Sequence, residues 1–171
     1  GSLAVGKESV SGENATAVGD KAKAGGYKAA ALGYDSTASG LSATALGGES
    51  KAEALRSVAV GFRAHAKGTN DVAVGGAAAA SGGQSVAVGL LSKASALRAV
   101  AVGNGAQASN IDAVAIGRDS EADALSATAL GDRAKARGTQ SLALASAAEA
   151  EGYQAVAVGT RAVSNAVNSV A

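Results

Sequence analysis

Gly19, Gly33, Gly47, Gly61, Gly75, Gly89, Gly103, Gly117 and Gly131 stand 14 residues apart, and the next two steps fall on Ala145 and Gly159. Gly6 leads the series at a spacing of 13. The residue two before each of these positions is Ala throughout, from Ala4 and Ala17 to Ala157, and again at Ala171. A period this strict across 171 residues requires a stack of like units, each resting on its neighbours. The interior of such a stack must be thin. One Phe, three Tyr and no Trp or Met leave Ala as the main apolar residue, and Ala buries little area.

Fourteen is two heptads, so a coiled coil has to be weighed. It fails on glycine. A helix would carry the repeat glycine and often a second, such as Gly40, Gly68, Gly82, Gly138 and Gly152, each costing about 1 kcal/mol against Ala. The apolar residues instead alternate, as in Val58-Ala59-Val60 and Val86-Ala87-Val88. Alternation of β-branched residues is a strand signal. The repeat glycine then serves as a corner that is free to take positive φ.

Each turn is numbered here from its glycine as position 0. Positions 3 and 5 are Ala or Ser, as in Ala22 and Ala24 or Ser50 and Ala52, and polar residues alternate with them. Positions 10 and 12 are again small, with Asp71 the one departure. Positions 11 and 13 are mostly large and aliphatic. Each turn therefore holds two short strands whose small side chains face each other. One strand turns a polar face outward and the other an aliphatic face. About twelve turns at ~4.8 Å give two parallel sheets and a β-solenoid on the order of 55 Å long.

The aliphatic face is expected to be covered. Continuous exposed apolar patches mark interfaces, and leaving this one wet forgoes tens of kcal/mol as an upper bound. The expected partner is a parallel copy of the same chain. The predicted interface residues are Val18, Leu32, Leu46, Val58, Val60, Val72, Val74, Val86, Val88, Val100, Val102, Val114, Ile116, Leu130, Leu142, Leu144, Val156 and Val158. Position 8, with Tyr27, Leu41, Leu55, Leu97, Ile111, Leu125 and Tyr153, is expected to extend the seam. These residues do not decide between two chains and three.

The phased Ser-Val-Ala-Val-Gly, as at Ser85 to Gly89, with a following small-x-small-x-Gly, as at Ala134 to Gly138, resembles the YadA-like head repeat of trimeric autotransporter adhesins. The resemblance covers essentially the whole chain. It implies an all-β, left-handed parallel β-roll assembled as a homotrimer on the outer surface of a Gram-negative bacterium. Such heads bind host matrix or host cells. Residues 1–171 then form one head-repeat domain of a longer surface protein whose stalk and anchor lie elsewhere. The family's Asn-Ser-Val-Ala-Ile-Gly form is only approached, at Gln84 to Gly89 and Asp112 to Gly117. Collagen binding is therefore not carried over to particular residues. A structural spacer that holds another binding domain away from the cell is the alternative function.

Individual residues give little chemistry. His65 is the single His and falls at outward position 4, so it is expected to be a surface residue. No ligands cluster for a metal. Asp20, Asp35, Asp119 and Asp132 lie near corners without the nonapeptide period of calcium-binding rolls. Asp71 is expected to accept backbone N–H bonds at its corner, and Phe62 to pack on its neighbour. Lys93, Lys135 and Arg137 share outward columns with Gln107, Glu121, Asp123 and Glu149, a solvated face of mixed sign. Scattered Thr16, Thr44 and Thr128 do not make an ice-binding face. No enzyme and no cofactor are expected. A net charge of +1 gives no reason to expect nucleic acid or an anionic membrane surface.

Overall fold

The computed structural model describes residues 1–171. They divide into two compact units, Gly1–Gln84 and Ser85–Ala171. Each unit is a parallel β-solenoid of six turns, and there is no helix. Every turn contributes one three-residue strand and one two-residue strand. In the first unit the longer strands run from Leu3–Val5 to Val72–Val74 and the shorter from Val10–Ser11 to Ala79–Ala80. In the second they run from Val86–Val88 to Val156–Val158 and from Lys93–Ala94 to Val163–Ser164.

Like pairs with like. Val58, Ala59 and Val60 lie beside Val72, Ala73 and Val74, and His65 lies beside Lys51 and Ala79. The sequence period is thus the sheet register. The one shorter step shows the same rule, since Leu3 pairs with Thr16 across 13 residues. That missing residue is taken from the corner between Ser11 and Ala15, which leaves the strands aligned.

The core is a double file of methyl groups. Ala24, Ala38, Ala52, Ala66 and Ala80 from the shorter strands, and Ala17, Ala31, Ala45, Ala59 and Ala73 from the longer, are all at 0% exposure. The second unit repeats the pattern. Serines at the neighbouring inward positions 3 and 10 close their own bonds: Ser50 Oγ donates to the Gly47 carbonyl at 2.8 Å, and Ser57 Oγ to the Ala54 carbonyl at 2.7 Å. A buried hydroxyl satisfied this locally can replace Ala without an unpaired group. Ser141 Oγ is the exception, buried without a hydrogen bond.

Three residues per turn take positive φ. The repeat glycine is the most extreme, with Gly61 at 125°. A Cβ built there would lie 2.7 Å from the Gly75 carbonyl oxygen, so the close approach of turns itself requires glycine. Positions 2 and 9 are left-handed and, Gly105 apart, are not glycine, for example Glu49 at 57° and Arg56 at 53°. Each is the third residue of a β-turn: Ser50 N donates to Gly47 O at 3.3 Å and Ser57 N to Ala54 O at 3.2 Å. A positive φ at that place is the mark of a type II turn.

Candidate interaction surfaces

The outer face of the longer strands carries the aliphatic columns. At position 11, Val58, Val72, Val86, Val100, Val114, Leu142 and Val156 are half-buried. At position 13, Val18, Leu32, Val60, Val74, Val88, Val102 and Leu130 are half-buried, while Leu46, Ile116, Leu144 and Val158 are exposed. Within a unit, neighbours of this kind stand beside their equivalents one turn away, as Val58 and Val60 do beside Val72 and Val74, and are open outward. Between them the position-12 alanines point inward at 0% exposure. Every residue of the predicted interface thus sits on one outer sheet face within its unit. Covering what is left open is worth roughly 1 kcal/mol per side chain. The position-8 corner residues from Tyr27 to Tyr153 are also exposed.

Polar side chains on the corners and along the shorter strands are cross-linked from turn to turn. Arg63 Nε donates to Glu49 Oε2 at 2.8 Å. Arg98 grips Asp112 with two bonds at 2.5 and 2.7 Å, and Arg118 Nε donates to Asp132 at 2.7 Å. Arg137 reaches back to Glu121 at 3.0 Å and forward to Glu151 at 3.4 Å. The Arg98 guanidinium holds the Asp112 carboxyl below its ordinary range. Arg118 first, then Arg133, does the same for Asp132. These pairs are solvent-exposed, and each is worth little on its own.

The single His is on a shorter strand. His65 Nε2 lies 3.1 Å from Glu53 Oε1, but the atom makes no aligned hydrogen bond, so the pair is a near approach. No group of three or more His, Cys, Asp or Glu converges in a way that could hold a metal ion. Asp71 is wholly buried, and its Oδ2 accepts from Gly68 N at 2.6 Å. This reverses the turn that Ser57 makes, where the side chain donates to the residue three before. Phe62 is 54% exposed and lies against Gly48, one turn back.

Sequence reading placed the columns but not the ion pairs. The signal was present, because Glu49 and Arg63, Arg98 and Asp112, and Arg118 and Asp132 are each 14 apart. The left-handed residues at positions 2 and 9 left no signal, since Lys, Arg, Glu, Asp, Gln, Ser and Leu all occur there.

A family model described as the YadA head domain repeat matches residues 11–36, 38–64, 66–92, 94–120, 122–144 and 150–171. No curated protein sequence matches the chain. Among solved structures, the chain is similar to the crystal structure of the collagen-binding domain of Yersinia adhesin YadA. That similarity has 24% identity and a TM-score of 0.42 over 85% of this chain. The chain spans 65% of that structure's own length.

Proposed function

The chain belongs to the YadA head domain repeat family, and from that membership we propose that it is the head of a bacterial surface adhesin, assembled as a parallel homotrimer. It sits on the exterior of the cell and binds host extracellular matrix or the host-cell surface. The observation that carries the reading is the aliphatic face. In each unit one or two large side chains per turn stand half-buried or exposed on one sheet face, in register. A soluble protein covers such a face. A parallel copy suits it because every turn presents an aliphatic side chain at position 13 at the same spacing. The polar side chains of the shorter strands then look outward and keep the assembly soluble.

Light scattering on a size-exclusion column tests the assembly. The expected mass is three times 16.1 kDa, unchanged on dilution; a folded monomer overturns it. Adhesion is tested by binding of that trimer to a panel of matrix proteins and host cells. Failure across the panel would leave the spacer function as the better reading. Grafting the segment onto a stalk that lacks a head separates the two, since adhesion gained there is incompatible with a pure spacer.

A further inference from the structure

The residue after each repeat glycine sits on a corner, and in the first unit it runs Lys7, Asp20, Tyr34, Gly48, Phe62, Gly76. The two aromatic residues are therefore two turns apart with glycine between them. At about 4.8 Å per turn they recur at roughly 9.6 Å along the stack. Tyr34 and Phe62 are 56% and 54% exposed. A Cβ on Gly48 would stand 3.5 Å from Phe62 Cδ2, so one edge of the ring rests beside the bare glycine. The Arg63 guanidinium is 4.8 Å from its centroid and is held there by Glu49.

Beside this corner is a cleft of about 260 Å³ lined by Asp35, Glu49, Lys51, Arg63 and His65. Positive φ at Asp35, Glu49 and Arg63 sets three of these side chains on the turn itself. Arg63 and Glu49 bind each other. The Asp35 carboxylate and the Lys51 ammonium make no hydrogen bond or ion pair within the chain. The cleft thus offers a free acceptor and a free donor next to two exposed rings.

We propose that this corner of the first unit binds an extended, uncharged oligosaccharide. The rings take the C–H faces of every second pyranose, and Asp35 and Lys51 take its hydroxyls. The two-turn spacing of the rings is close to the advance of two sugar units in an extended β-linked chain. Charge favours a neutral glycan, because Asp35 and Glu49 balance Lys51 and Arg63. An extended peptide is the poorer fit. Backbone groups along the corner are already committed, with Glu49 N on Tyr34 O at 2.8 Å, Arg63 N on Gly48 O at 3.0 Å and Ala77 N on Phe62 O at 2.8 Å. No strand edge is left there to extend. The inference rests on the adhesin reading for its setting, since it names a ligand class for that surface.

The test uses the whole purified chain on an array of neutral β-linked hexose oligosaccharides of graded length, with sulfated glycans and matrix proteins alongside. Binding to a neutral oligosaccharide is expected, unaffected by added salt. Tyr34→Ala and Phe62→Ala should each weaken it about tenfold, and Tyr153→Ala, a ring of the second unit, should leave it unchanged. Both target rings are exposed, so thermal melts should match the parent. Gly48→Leu, which lifts the Phe62 ring, should weaken binding with the ring still present. Binding only to sulfated glycans, lost in salt, overturns the neutral class. Neutral binding indifferent to both rings overturns the site. Matrix-protein binding with no glycan bound overturns this inference while leaving the adhesin reading in place.

Discussion

Ala145 occupies the corner that every other full turn gives to glycine, and it offers a natural test of why the glycine is there. Its φ is 108°, whereas the repeat glycines lie between 125° and 138°. The stack yields just above it: Gly159 N to Leu144 O is 3.0 Å, against 2.8 Å for the same bond at Gly61 and at Gly117. Holding a side chain at such a φ costs about 1–3 kcal/mol. Glycine gives back about 0.5–1 kcal/mol through the freedom of the unfolded chain. Ala145→Gly is therefore expected to stabilise the protein by about 1 kcal/mol. The reverse change is worse than symmetrical, because at Gly61 the new Cβ would stand 2.7 Å from the Gly75 carbonyl oxygen and 2.8 Å from its carbon. Strain and forced parting of the turns together should cost about 3 kcal/mol in Gly61→Ala. Urea denaturation followed by far-UV circular dichroism reads both, with melting temperature as a second measure at ~2–4 °C per kcal/mol. If Ala145→Gly destabilises, or Gly61→Ala is neutral, then close approach of the turns is not what selects glycine.

Removing the buried carboxylate in Asp71→Ala strips the Gly68 amide of its side-chain acceptor, and stability should fall by about 1.5–3 kcal/mol; hydrogen exchange at Gly68 N should speed up with it. Asp71→Ser restores the residue type of position 57 and should cost less than Asp71→Ala in the same denaturation experiment. Val60→Asp with Val74→Asp places charges on the proposed three-fold seam, so the mass by light scattering should drop from trimer toward monomer. Carboxyl NMR titration should find Asp112 and Asp132 below the ordinary carboxylate value of about 3.9. Because their folded values are depressed, the stability they add is present above that pH and is lost as pH falls through the folded values. Arg98→Gln should return Asp112 toward the ordinary value, whereas Arg118→Gln should return Asp132 only partway, with Arg133 still 3.1 Å away.

The inside and outside of each turn were legible because two periods coincide. A spacing of 14 fixes which residues become neighbours, and alternation at period 2 fixes which way they point. Ala at positions 5 and 12 could hardly have been misread, since only small side chains fit between the sheets. Asp71 was also readable: one charge in a column of Ala and Ser needs a local partner, and Gly68 N supplies it. Other features left less trace. A positive φ at Arg56 or Lys28 is imposed by the turn, against the preference of the residue, so composition there carries no mark. Phe62 was legible as a corner residue but its relation to Tyr34 was not, because the eye follows columns that repeat and this one alternates with glycine. The division at Gln84 has no counterpart in the period, which runs through it unchanged.

The pairing of like with like also governs how a protein of this kind can change length. Every strand hydrogen-bonds only to its counterparts one turn away, through bonds that any turn can offer to any other. Adding or deleting 14 residues therefore exchanges one set of neighbours for an equivalent set, with no long-range contact to rebuild. The 13-residue first step shows that the corner between the strands can also absorb a single residue without disturbing register. A gene encoding such a chain is open to unequal recombination between its own repeats, and most in-frame products would still fold. Within a unit, reach then becomes a quantity that selection can adjust in steps of one turn, ~4.8 Å at a time.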